Sequence, residues 1–436
     1  MPEDVTADQP PILNVETLAT LEDYGFDGGR IAFRQFCDRV FQPGGPRFLR
    51  SNDGTLVIFR QADLRATAAM PELSALAPNQ LFPGLLEDRP DSEEPVGYAI
   101  ANLIQNQLFS SNAPLNPVLR RILLKQVGPR PVGARREGTQ AIAAGLLQNL
   151  PVGETIDLVE DIAEPLIGRF WGNQLGMTDE EALEAAVHAR KMTPMLYLQP
   201  GGEAFRRADA AAKTYRAIVE TASMRSLQRG GCPFVEEIAT DLEGVDIPDD
   251  LDYGGHVPET AGAFVAGNLF DGFHTAAVAV ANTVRTLLDH PDVMADLQDA
   301  PPERLAAVVA ECLRIEPPVI GLNRYVRTDI EHAGLTIPAG TNVLMMWGAG
   351  NRDPEAFPEP ARFDPDRSQQ GATTFGGGAH ICPGRFAASL AAQCLLAGLI
   401  ESGIRIQAAG DIDDWIGNHA MCQMRHLPVT LERQAG

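Results

Sequence analysis

The chain has 436 residues, is 44% hydrophobic and 21% charged, and carries a formal net charge of −23. This is the composition of a globular chain with a sizeable core. The acidic balance excludes nucleic acid and an anionic membrane as general partners, since both repel such a surface. Six cysteines (Cys37, Cys232, Cys312, Cys382, Cys394 and Cys422) occur without a CxxC pair. That scatter argues against a disulfide framework and suits a reduced, cytoplasmic protein.

In chain order, the opening MPEDVTADQPPILNVET is acidic and proline-bearing, with no basic n-region and no apolar h-region. Residues 1–15 are expected to be disordered, without signal peptide or membrane anchor. PRFLRSNDGTLVIF at 46–59 predicts a hairpin turning at Asn52-Asp53-Gly54. From about 103 to 314 the pattern is predominantly helical, broken at 151–153, 200–202, 230–231 and an acidic loop at 243–252. Residues 113–136 hold no acid but include Arg120, Arg121, Lys125, Arg130, Arg135 and Arg136. They read as a solvated helix face, as partners for buried carboxylates, or as a docking patch for an acidic protein.

The apolar stretch 258–289 is long enough to span a bilayer, but Asn268, Asp271, His274 and Asn282 interrupt it. Ionisable groups at mid-bilayer are costly, so a helix through the middle of a large core is expected, with partners or a cavity for those polar groups. A short β-rich section (319–343), a proline-rich irregular segment (351–366), a helix starting at Cys382 and weak strands complete the chain. The fold class is mainly α with small β-sheets (α+β), as a single domain over 16–436.

Two elements carry chemistry. In FGGGAHICPG (375–384), successive glycines let the backbone approach a flat ligand closely. Cys382 stands where a helix N-terminus favours thiolate over thiol, as an anionic metal ligand requires. A merely structural cysteine would fit Cys394 or Cys312 but leaves the loop unexplained, and a zinc site with His380 lacks a second ligand pair nearby. Upstream, Glu311 and Arg314 share a helix face in apolar surroundings; such a pair needs further partners if buried. Arg362 is the expected third member.

In this order the two elements resemble the cytochrome P450 family: the loop meets FGxGxHxCxG at every specified position, and Glu311 and Arg314 meet ExxR. DHPD at 289–292 and RYVRTDIEHAGLTIPAGT at 324–341 extend the likeness over nearly the whole chain. The resemblance implies the P450 fold, with haem b between the long central helix and the Cys-bearing helix. It implies Cys382 as proximal iron ligand in a loop including Gly376 and Gly384, with Phe375 shielding the sulfur. His380, Arg324 and Arg120 would pair with the haem propionates. Asn116 stands where the family's HxxxR helix has histidine, and reads either as a weakened propionate contact or as an N-cap before Pro117. Glu311, Arg314 and Arg362 would form a structural triad.

The distal pattern departs from the family. The usual (A/G)GxxT falls on Asp271-Gly272-Phe273-His274-Thr275. Gly272 and Thr275 match, but His274 replaces the acid and Asp271 the small residue. Thr275 and a neighbour are implied to deliver protons during dioxygen activation. Three readings stay open: His274 is the relay; Asp271, one turn before Thr275, supplies the carboxylate or contacts substrate; or both are structural and water relays the proton. Pocket residues by analogy are Leu269, Phe270, Asp271, Gly272, Val319, Ile320 and Leu322, with 97–106 and 192–198 at the mouth.

The resemblance thus implies a haem-thiolate monooxygenase acting with O2 on a small hydrophobic organic molecule. The alternative is atypical chemistry on the same fold: peroxide-driven, oxidative coupling or dehydration. No flavin, nicotinamide or iron–sulfur motif is present. Electrons are therefore expected from a separate ferredoxin and its reductase, docking near Arg121 and Lys125. A monomer is expected.

Overall fold

The computed structural model describes residues 13–77, 81, 84–86, 94–192, 202–245, 256–297, 300–417 and 420–433. Residues 1–12, most of the expected mouth segment 192–198 and most of the acidic loop 243–252 lie outside them. Within the segment 1–15, Leu13–Asn14 is a strand paired in parallel with Leu335–Ile337.

Helices dominate, as the apolar periodicity predicts. The central helix, Ala261–Leu288, has 28 residues, roughly 42 Å at about 1.5 Å per residue. It starts at Thr260, whose hydroxyl accepts the Ala263 N–H at 3.0 Å. It is long and apolar enough to cross a membrane, but 72% of its most apolar window is buried inside the protein. Helices Glu203–Arg229, Arg385–Ser402, Glu164–Leu175 and Pro302–Ile315 pack around it, so the helix is the core of the main hydrophobic cluster.

Two of the polar residues that interrupt it are tied to backbone. Asn268 donates to the Asn106 and Phe264 carbonyls and accepts the Leu108 N–H. Asn282 donates to the carbonyls of Glu316 and Cys422. The upstream Gly267 packs against backbone: a Cβ there would lie 2.8 Å from the Leu103 carbonyl oxygen.

The predicted hairpin forms, with Leu49–Arg50 antiparallel to Leu56–Ile58. Its turn needs Gly54, whose φ is +88°. Leu56–Ile58 pairs in parallel with Asn342–Met345, which pairs antiparallel with Leu322–Val326. That register sets Arg324 opposite Val343 and turns its side chain into the protein, where it is 5% exposed. A smaller sheet joins Ile404–Ala408, Pro428–Arg433 and Thr155–Asp157.

Candidate active site

The cysteine loop is closed by its own backbone. The Cys382 N–H donates to the Phe375 carbonyl at 2.9 Å, and Gly376 and Gly378 take φ of +74° and +62°. The last helix runs Arg385–Ser402, so it starts after Cys382 rather than at it. The sulfur still receives the Gly384 N–H, which favours thiolate, but burial outweighs this and pushes the thiol up to about 11. Within the protein these two effects oppose each other, and ligation of a metal by the sulfur favours the thiolate.

Beside the loop lies a cationic cluster. Burial lowers Arg324 to about 10, and its guanidinium stacks over Phe109 at 5.1 Å. Among the described residues no carboxylate pairs with it. Burial, then the charges of Arg324 and Arg120, hold His380 down at about 3. Arg120 donates to the carbonyls of Ala379 and Ile381, which ties helix Leu115–Val127 to the cysteine loop. Arg385, not singled out from sequence, donates to the Cys382 carbonyl at 2.6 Å.

Opposite stands the central helix. From 264 to 287 every residue is buried except Asn268, Asp271, Gly272 and Thr275. At this spacing they form one stripe. Its partial exposure within a buried helix marks an internal space, and the Asp271 charge is felt at Cys382. Burial raises Asp271 to about 7. The Thr275 hydroxyl donates to the Asp271 carbonyl at 2.7 Å.

His274 lies off this stripe. It is 4% exposed; burial lowers it to about 4, against a side-chain hydrogen bond with Gln423 that raises it. Free imidazole titrates near 6.5, so as pH falls the unfolded chain takes up the proton first. His274 therefore contributes stability above about 6.5 that is lost between there and about 4, amounting to about 3 kcal/mol. His274→Gln is expected to flatten that limb of a stability-against-pH curve measured by denaturant unfolding.

The Glu311–Arg314 pair is fully buried, both side chains 0% exposed, at 2.7 Å. Arg362 is not its third member. Its side chain is 59% exposed and pairs with Glu359 and Asp364; only its carbonyl reaches Arg314, at 3.3 Å. Arg367 takes the place, 3.5 Å from Glu311, with Gln369 donating to Glu311 at 2.8 Å. Both arginines follow proline-bearing turns, so the sequence holds no signal that separates them.

Several other expectations are corrected by packing. The amide of Asn116 donates to the Leu108 and Ser111 carbonyls, leaving only an acceptor, which cannot bind a carboxylate. Nor is it an N-cap, since its helix begins at Leu115 after Pro114. Phe270 is fully buried against Tyr215, and Leu269 lies in the main core. Ile320 is buried in a separate cluster with Phe33 and Cys422. Gly272 faces Trp171, 3.2 Å from where its Cβ would stand. Leu322 packs on the sheet cluster. Val319 remains partly exposed, in a bridge with Met421. Lys125 is bound at 2.8 Å by Asp241, so its charge is compensated.

These residues suit haem b on two counts. Arg324, His380 and Arg120 gather donors without a carboxylate among the described residues, as two propionates require. A thiol faces an internal space walled by one helix face, as a flat ligand bound through sulfur requires.

The family model for Cytochrome P450 matches residues 303–402. The chain is 28% identical over 372 residues to 6-deoxyerythronolide B hydroxylase of Saccharopolyspora erythraea, covering 84% of this chain and 88% of that one. It superposes on a mutant of P450 EryK in complex with erythromycin B with a TM-score of 0.73 and 22% identity, covering 96% and 100% of the two chains. With CalO2 the TM-score is 0.75 at 23% identity, covering 89% and 94%. Both structural likenesses speak to the fold. The family-model match and the hydroxylase relative, taken with the cysteine loop and the buried ExxR pair, assign the chain to the cytochrome P450 family, monooxygenases that bind haem b and use O2 as co-substrate.

Proposed function

We propose that the protein is a cytoplasmic haem-thiolate monooxygenase that inserts one oxygen atom into a small hydrophobic molecule with electrons from a separate ferredoxin and reductase. The observation that carries this reading is the facing pair of surfaces, the Cys382 loop with its cationic cluster and the Asp271–Thr275 stripe. When bound, haem b supplies the redox centre at which O2 is reduced and cleaved. Cys382 would hold it through its sulfur, with the Gly384 N–H on that sulfur, and Arg324, His380 and Arg120 would hold the propionates.

The Thr275 hydroxyl donates its hydrogen bond to a helix carbonyl, so its oxygen is left to accept a hydrogen bond in the cavity. His274 is turned toward Gln423, which favours Thr275 and Asp271 over His274 as the distal polar groups. The relative named as a hydroxylase supports insertion over the peroxide-driven alternative. Six free cysteines support a reducing compartment.

Arg121 and Arg130 are exposed, without a carboxylate partner among the described residues. They share the basic segment with Arg120, which touches the cysteine loop. An acidic ferredoxin docked there would place its electron beside the proximal side. With a ferredoxin, its reductase and NADH, reduction is expected to slow as salt rises. Arg121→Glu or Arg130→Glu should slow it about tenfold at low salt. Lys125→Glu should change it less, because Asp241 already holds that charge. Salt-independent reduction would contradict the docking surface; turnover with peroxide alone, and none with the ferredoxin pair, would overturn the reaction class.

A further inference from the structure

The stripe on the central helix contains one group with no use inside the protein. Asn268 spends both its donor and acceptor groups on backbone. Gly272 serves the close approach of Trp171. Thr275 is tied back to its own helix. Asp271 alone presents a carboxylate that makes no hydrogen bond or ion pair among the described residues. Its neighbours do not relieve it: the Tyr215 hydroxyl already donates to the Ala266 carbonyl at 3.2 Å. Arg324, Arg120 and His380 act on one another rather than on Asp271, whose own shift has burial as its sole cause.

A buried, unpaired carboxylate is costly, so its partner is expected to arrive with a ligand. Three kinds of partner are conceivable: a neutral donor, a proton, or a cation. Of these, the cation is the partner that keeps the carboxylate charged and binds it by charge. Phe273 and Phe270 pack behind Asp271 on Tyr215, which keeps the local dielectric low and makes a charged pair worth more than in water.

We propose that Asp271 is the anchor for an ammonium group, so that the substrate of this enzyme is an apolar molecule carrying an amine or quaternary nitrogen. The proposal rests on the monooxygenase reading and narrows its substrate class. It also gives a role to the position where the family's small residue is replaced by an acid. Seating the charge on the central helix fixes one end of the molecule and leaves its apolar body free to fill the remaining space.

The test compares 4-phenylbutyltrimethylammonium with its neutral isostere, in which carbon replaces nitrogen. Neither has a lone pair on that atom, so neither can ligate iron through it. Affinity is read on the haem-loaded full-length protein from the spin-state shift. The ammonium compound is expected to bind about tenfold or more tighter than its isostere. Asp271→Asn and Asp271→Leu should abolish that preference without weakening the neutral compound. No preference in the wild type, including binding of neither compound, overturns the proposal, as does a preference that survives both substitutions. Failure of the underlying reading is distinct: the ferrous-CO spectrum of the same sample would then lack the thiolate signature.

Discussion

Replacing Arg314 with leucine is expected to leave little folded, haem-loaded protein. Arg314 donates twice to Glu311, from Nε and Nη2, each at 2.7 Å. It donates again to the carbonyls of Asn351 and Pro360 at 2.9 and 2.8 Å. Its loss removes two charged donors from a carboxylate that is 0% exposed and orphans two carbonyls. Breaking a buried pair from one side costs about 3–5 kcal/mol, against a total stability of about 5–15 kcal/mol.

The damage also has a direction. Asn351 accepts the Thr373 N–H at 2.7 Å and donates to the Thr374 hydroxyl at 2.9 Å, immediately before Phe375 and the cysteine loop. The ExxR pair therefore positions the thiol through the backbone of Asn351. Urea unfolding and the haem-to-protein ratio check this: both should fall together in Arg314→Leu. Arg362→Ala, which removes only an exposed side chain, should stay within about 0.5 kcal/mol of the wild type. Arg367→Ala should fall between them.

Gly378→Ala is the second large effect, and it comes from sterics alone. A Cβ at 378 would stand 1.9 Å from the Ala68 carbonyl oxygen and 2.8 Å from its carbon. Both are backbone atoms at the end of helix Gln61–Thr67 and cannot swing aside. The residue also holds φ of +62°, which costs a non-glycine residue about 1–2 kcal/mol. Overpacking adds about 1–3 kcal/mol. The loop must shift, and with it the sulfur. Haem retention after gel filtration should drop sharply in Gly378→Ala. In Gly376→Ala, whose Cβ meets nothing nearer than Trp347 at 3.7 Å, only the backbone cost should appear.

What was legible in the sequence divides along a physical line. The cysteine loop, the Glu311–Arg314 pair, the buried central helix and the hairpin at 46–59 are encoded locally, in spacing and glycine placement. Helical geometry alone set Asp271 and Thr275 on one face, and they share the stripe. Failures came where side-chain direction depends on distant neighbours. Arg362 and Arg367 are alike in local sequence, and the position of Glu311 decides between them. Phe270 and Ile320 lie in the segments expected to line the pocket, but Tyr215 and the Phe33 cluster draw them away. Asn116 was assigned by its place in a pattern, whereas the Leu108 and Ser111 carbonyls had already claimed its amide.

The thiolate assignment of Cys382 is tested most directly by the absorption spectrum of the reduced, CO-bound protein, taken for the wild type and for Cys382→His. The wild type should show the strongly red-shifted Soret band that follows from sulfur ligation, and Cys382→His should lose it while the ExxR network keeps the protein folded. A wild-type spectrum without that shift, or a shift that persists after Cys382→His, would contradict the assignment.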